Sequence, residues 1–184
     1  MHQKVALAIG STRTGRFADH PCRWIKDRAK AFKMPIEVLD LNEFPMPFFN
    51  EQVPPTIGPV TSQAAAVWVR TMRRFDGYII LTPEYNRSIP GVLKNALDYL
   101  GGEVRRKPVA FVGYGGVGGA YAIQHLRSIV IELQMLPIRN AVHVTMEPYL
   151  AVSQGKAILN DFPHLNTSLD RLLEELAWWL EKLA

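Results

Sequence analysis

Short apolar runs alternate along the chain with longer stretches of helical periodicity. A β-rich segment at residues 4–9 contains Val5-Ala6-Leu7-Ala8-Ile9, and a polar, glycine-containing loop and a helical pattern to about Lys33 follow it. Residues 35–40 alternate in character and predict a second strand. Between Leu41 and about Pro59 the chain carries Pro45, Pro47, Pro54 and Pro55, too many for a helix or a central strand. Helical spacing resumes from Ser62 to Phe75, and Tyr78-Ile79-Ile80-Leu81 predicts a third strand. Pro90 suits the first turn of a further helix that ends at Gly101-Gly102. Val109-Ala110-Phe111-Val112 predicts a fourth strand, and Ile123, Leu126, Val130 and Leu133 then recur at helical spacing. A fifth strand is expected near Ile138 to Val144. Thr167 is the expected cap of the last helix, with Asp170 in its first turn and Leu169, Leu172, Leu173, Leu176, Leu180 and Leu183 on its apolar face. Trp178 and Trp179 flank that stripe and read as core or interface packing.

Five strands therefore alternate with five helices. Continuously apolar strands imply burial on both faces, and helical crossovers imply parallel pairing. The expected architecture is an α/β three-layer sandwich, a five-stranded parallel sheet in the order 2-1-3-4-5 with helices on both faces. In such a sheet a ligand binds beyond the carboxyl ends, at the switch between the first and third strands. The loops after Ile9, Leu81 and Val112 are thereby singled out before any motif is considered.

Composition narrows the function classes. A length of 184 residues suits a single domain over the whole chain. The net charge of +4 is mild, and Lys and Arg are scattered instead of forming a stripe with aromatics between them, so no nucleic-acid partner is expected. Arg105-Arg106-Lys107 reads as a solvated turn, and the modest positive balance suits phosphate-bearing ligands. The one cysteine, Cys22, excludes an internal disulfide framework and gives no zinc spacing; it reads as a packed residue of the first helix, and no metal is expected. No apolar run approaches membrane length, so no membrane association is expected and the expected compartment is the cytoplasm.

The first loop, Gly10-Ser11-Thr12-Arg13-Thr14-Gly15-Arg16-Phe17, offers hydroxyls, accessible backbone N–H groups, two arginines and the start of a helix. That set suits a phosphate, although a polar strand-to-helix turn would look the same. It is not a Walker loop, since no Gly-Lys-Ser/Thr follows. In the second loop, Thr82 to Gly91, Pro83 and Pro90 fix the backbone, Tyr85 can pack on a flat heterocycle, and Asn86 and Ser88 offer donors. Glu84 reads as a general base or, ranked higher, as a turn residue or subunit-interface ion pair. The third loop, Gly113-Tyr114-Gly115-Gly116-Val117-Gly118-Gly119, contains G-x-G-x-x-G. It follows the fourth strand, no acidic residue ends the next strand, and the first loop is the better phosphate cradle, which counts against a dinucleotide fingerprint. Its glycines instead let backbone approach a planar cofactor edge.

At these residues the chain resembles the NADPH-dependent FMN reductase family, flavodoxin-like flavin, quinone and azo-dye reductases. The block Pro83-Glu84-Tyr85-Asn86-Arg87-Ser88-Ile89-Pro90-Gly91-Val92-Leu93-Lys94-Asn95-Ala96-Leu97-Asp98 is similar to the family signature nearly position for position. Gly10-Ser11-Thr12-Arg13 with Arg16, and Asp40-Leu41 through Pro45, Pro47, Phe48 and Phe49, resemble it too, so the likeness runs from Lys4 to about Val144. The resemblance implies FMN as cofactor, with NADPH or NADH as electron donor. Ser11, Arg13 and Arg16 would bind the phosphate, beside Phe17. Pro83, Glu84, Tyr85 and Asn86 would line the isoalloxazine, Ser88 would sit on the helix side, and Gly115 and Gly116 would approach the other edge. It further implies a homodimer or homotetramer, with Phe48 and Phe49 at a rim or interface. Arg16 stands where many members have Ser or Asn. Tyr114 replaces a smaller polar residue, which points to narrower access to the ring.

The leading expectation is an oxidoreductase in which hydride passes from the nicotinamide to flavin N5 and then to a small-molecule acceptor, such as free flavin, a quinone or an azo compound. One seat serves both in turn, by a ping-pong route, and the flavin needs no catalytic side chain. The competing readings are a non-catalytic flavodoxin-type electron carrier and a nucleotide-binding regulatory module.

Overall fold

Five consecutive apolar residues with no polar face put β1 (Val5–Ile9) wholly inside the molecule. The same holds for every residue of β3 (Gly77–Pro83) and β4 (Pro108–Tyr114), whereas β2 (Ile36–Asp40) and β5 (Leu136–Val144) mix buried and exposed positions. In the computed structural model, which describes residues 3–183, these strands form one parallel sheet in the order β2-β1-β3-β4-β5. The fully buried strands are central and the mixed ones lie at the edges, as burial on two faces requires. Ile9 pairs with both Asp40 and Leu81, so β1, β2 and β3 deliver their loops at one level.

The helices are α1 (Asp19–Ala29), α2 (Gln63–Arg73), α3 (Gly91–Asp98), α4 (Ala120–Glu132), α5 (Met146–Ser153) and α6 (Pro163–Lys182). Because successive strand residues point to opposite faces, the sheet divides the interior into two cores. Val5, Leu7, Ile9, Ile79, Leu81, Ala110 and Val112 pack against α1, α5 and α6. Ala6, Ala8, Tyr78, Ile80, Val109 and Phe111 pack against α2, α3 and α4. Trp68 of α2 is fully buried, and its only polar atom is satisfied by donating to Ala96 O at 2.8 Å.

Three sequence expectations are corrected. A sixth helix, α5, follows β5 directly. The last helix begins at Pro163, whose missing N–H is harmless at a first turn, and not at Thr167. Thr167 lies inside it and donates from Oγ1 to Pro163 O at 2.9 Å, while Asp170 accepts from Arg28 Nε at 2.8 Å, which ties α6 to α1. Finally, α3 stops at Asp98, and Gly102–Val104 form a short 3-10 turn beyond it.

The proline-rich segment contains one 3-10 turn, Leu41–Glu43, and is otherwise without regular structure up to α2. Asn95 of α3 anchors it, donating to Pro47 O and accepting from Phe49 N, both at 2.8 Å. Glu51 closes the far end by accepting from Thr61 and Ser62. Cys22 lies on α1 against the core, where burial pushes its thiol pKa up, away from nucleophilic behaviour. Trp179 packs partly against the core, and Trp178 is half exposed. Among the described residues no helix is long and apolar enough to cross a membrane, and no cluster of His, Cys, Asp and Glu suits a metal ion.

A candidate ligand site at the carboxyl edge of the sheet

The first loop leaves β1 through Gly10, whose N–H donates to Leu81 O at 2.8 Å. A Cβ there would stand 2.8 Å from Leu93 Cδ2 and 3.1 Å from Leu81 O, so glycine allows α3 to approach. Ser11 is buried, and its Oγ lies 3.2 Å from the Tyr85 hydroxyl, joining the first loop to the second. Thr12, Arg13, Thr14 and Gly15 are exposed, and the Arg13 guanidinium makes no side-chain hydrogen bond or ion pair among the described residues. No side chain caps the start of α1.

Arg16 behaves differently from Arg13. Its side chain is only 9% exposed, and four of its five N–H donors are committed. Nε donates to Asp19 at 3.0 Å, Nη1 to Ser11 O and to Asp40 Oδ1, both at 2.7 Å, and Nη2 to the other Asp40 oxygen. The hydrogen bond to Asp40 raises the arginine's pKa, and the same bond holds the Asp40 carboxyl below its ordinary range. Phe17 turns inward, its ring 5.2 Å from Tyr114 and 4.6 Å from Tyr149.

In the second loop, Pro83 is buried at the end of β3, and Glu84 N donates to Tyr114 O at 3.1 Å. The Glu84 carboxylate accepts from Tyr121 N at 2.9 Å and so caps α4, whose own cap position, Gly119, has no side chain to do it. The tip is a tight antiparallel turn. Tyr85 N donates to Ser88 O at 2.8 Å and Ser88 N to Tyr85 O at 2.9 Å. The two residues between them, Asn86 (φ 49°) and Arg87 (φ 64°), are both left-handed. Ser88 Oγ lies 2.9 Å from His125 Nδ1, and the Arg87 guanidinium carbon lies 4.5 Å from the centre of the Tyr121 ring.

The glycines of the third loop fall into two groups. A Cβ on Gly118 would meet His143 Cβ at 2.7 Å, and one on Gly119 would meet Gly113 Cα at 2.7 Å, so these two serve internal packing. On Gly115 the nearest atom would be Glu84 Cβ at 3.6 Å, and on Gly116 only Met146 Cε at 3.8 Å, which leaves the outer rim open. Tyr114 is buried beneath the loop, stacked on Tyr149 with ring centres 6.4 Å apart, and burial raises its hydroxyl pKa. It forms part of the floor and does not stand in the opening.

The residues singled out from sequence thus converge on one edge. Ser11 meets Tyr85, Glu84 meets the third loop, and Phe17 meets Tyr114, while Arg13 stays exposed and Arg16 turns inward. Asp40, Tyr121, His125 and Tyr149 were not foreseen. The level ends of β1 and β2 could have pointed to Asp40, and the four-residue spacing of Tyr121 and His125 marks one face of α4. Beside the second loop, Met46, Phe48, Gly91, Val92 and Asn95 line a hollow of about 250 Å³.

Residues 3–148 match the family described as NADPH-dependent FMN reductase. The chain is 32% identical over 168 residues to the NAD(P)H-dependent FMN reductase ntnL of Nectria sp, covering 86% of this chain and 81% of that protein. It is 33% identical over 144 residues to a quinone reductase of Escherichia coli strain K12, covering 72% of each. Among solved structures, the flavoenzyme NAD(P)H:(acceptor) oxidoreductase FerB of Paracoccus denitrificans superposes with a TM-score of 0.75 at 21% identity, covering 98% of both chains.

Proposed function

The chain belongs to the NADPH-dependent FMN reductase family, and on that premise we propose how its three loops work. The protein is an NAD(P)H-dependent, FMN-binding oxidoreductase acting on small-molecule acceptors of the flavin, quinone or azo class. One observation carries the assignment of the seat: Arg13, unpartnered among the described residues, and exposed Thr12 and Thr14 in the loop ahead of the uncapped α1 share an edge with the second loop and with a third loop whose outer glycines are open.

The residues present fit FMN. Backbone N–H groups of residues 12–15, the threonine hydroxyls and Arg13 form a donor set suited to a phosphate dianion. We assign the phosphate contact to Arg13. Arg16 holds the loop in shape through Asp40 and the Ser11 carbonyl, and Ser11 contributes by fixing Tyr85. Pro83, Tyr85 and Asn86 flank the ring on one side and Gly115 and Gly116 on the other, with Phe17 in the floor. Glu84 is a strut between the second and third loops, and Ser88 is anchored through His125. Bound FMN supplies the hydride acceptor and donor, so no side chain is needed as acid or base. The chain orients the reactants and keeps the slot partly dry.

The open rim favours sequential use of one seat, and hence ping-pong kinetics. The whole chain acts as one domain, in the cytoplasm where nicotinamide nucleotides turn over, and without a nucleic-acid partner. Phe48, 85% exposed beside an apolar hollow, supports a homodimer or homotetramer. The test is stopped-flow mixing of FMN-loaded protein with NADPH or NADH, then with a panel of acceptors. Rapid bleaching by nucleotide alone and recovery of colour with acceptor is expected. Bleaching that requires an added reductase would make the protein an electron carrier, and failure to retain FMN would remove the reading altogether.

A further inference from the structure

Arg87 occupies a position that backbone energetics reserve for glycine. In a two-residue turn with both central residues left-handed, Asn-Gly is the favoured pair, because a Cβ crowds the following carbonyl. Asn86 meets the first half of that preference and Arg87, at φ 64°, violates the second. Strain of this kind persists where the surrounding structure imposes it, and it concentrates at sites of function.

The side chain so placed is held in position but chemically idle. Its guanidinium lies against the face of Tyr121, 4.5 Å from the ring centre, and that ring stands on a residue whose N–H is fixed by Glu84. Among the described residues Arg87 has no carboxylate partner and donates no hydrogen bond. His125, four residues after Tyr121, is exposed and reaches Ser88, the neighbour of Arg87, through Nδ1. A planar five-donor fork with its donors unspent, and an imidazole whose Nε2 makes no hydrogen bond among the described residues, therefore share the outer rim of the second loop. Such a pair suits a phosphate monoester, which a guanidinium binds with two parallel N–H···O bonds.

We propose that Arg87, with His125 beside it, is a specificity-determining residue that receives the 2′-phosphate of NADPH. This rests on the reading of the three loops as a flavin reductase site. A nicotinamide laid on the ring between the second and third loops must carry its adenosine end outward across a rim, and Arg87 is the cation at the tip of the second loop. The first loop holds the flavin phosphate, so the two anions use separate receptors.

The test compares wild type, Arg87→Gly and Arg87→Lys. Glycine removes the left-handed strain, so the first variant keeps the fold. Calorimetric titration of the FMN-loaded proteins with 2′,5′-ADP and with 5′-AMP reads the 2′-phosphate directly, without turnover. Arg87→Gly should weaken 2′,5′-ADP by about tenfold or more and leave 5′-AMP unchanged, with Arg87→Lys between. The KM for NADPH should rise by a similar factor while that for NADH and both kcat values stay put. Unchanged 2′,5′-ADP affinity in Arg87→Gly, or equal losses for NADPH and NADH, would overturn the proposal. Nucleotide titrations as expected on a protein whose flavin neither nucleotide bleaches would uphold this receptor and sink the reductase reading instead.

Discussion

Arg16 reaches from the first loop to the last residue of β2, where its Nη1 lies 2.7 Å from Asp40 Oδ1 and equally close to the carbonyl of Ser11. The pair makes the loop's shape depend on a strand that is remote in sequence.

Asp40→Asn should therefore destabilise the protein by about 1–3 kcal/mol in urea unfolding, and FMN affinity should fall with it. The pH dependence has a definite sign. The folded carboxyl titrates below its ordinary value of 3.8, so the pair's contribution is complete at neutral pH. It drains away as pH drops below 3.8 and through the lower folded value. Acid titrations followed by circular dichroism should show a shallower stability loss over that window in Asp40→Asn than in wild type.

Arg13→Ala should act in the opposite proportion. The side chain is exposed and has no partner among the described residues, so apoprotein stability should change by no more than about 0.5 kcal/mol. FMN dissociation, measured by fluorescence titration, should rise by about tenfold or more, since a charge-assisted contact is lost. Equal losses in both quantities would remove the phosphate role.

Glu84→Ala should lower stability by about 1 kcal/mol by uncapping α4, while Glu84→Gln, which keeps an acceptor oxygen, should lose less. Turnover per bound flavin should survive in Glu84→Gln. A general base would not tolerate that change.

The glycines should separate cleanly in thermal unfolding. Gly119→Ala forces a Cβ to 2.7 Å from Gly113 Cα at φ 73° and should destabilise by about 1–3 kcal/mol. Gly91→Ala, with nothing within 4 Å of its new Cβ, should be neutral or stabilising by up to about 1 kcal/mol.

Strand order, and the edge on which the loops gather, were legible because the central strands carry continuous apolar runs and the connections are helical. Helix α5 was not, because Met146–Ser153 mixes Met, Leu, Ala and Val with Glu147 and Ser153 and gives no polar face to set a period. Thr167 and Asp170 looked like a helix start because that spacing does occur there, yet Pro163 begins the helix a turn earlier. Within the site, residue types were readable and their partners were not. Arg13 and Arg16 are alike in composition, and only the register of β1 against β2 gives one of them a carboxylate. The capping role of Glu84 likewise depends on Tyr121, which lies 37 residues onward.

Every strand in this sheet pairs in parallel, so none of the pairings can form through a local hairpin. Each must wait for a whole helix to be traversed, which puts the chain among topologies dominated by distant contacts and slows its assembly. The three loops become neighbours only when β1, β3 and β4 have all docked. Retention of flavin by refolding protein would thus report that these three strands have docked, and the vitamin-derived pigment would serve as a clock for that step of sheet assembly.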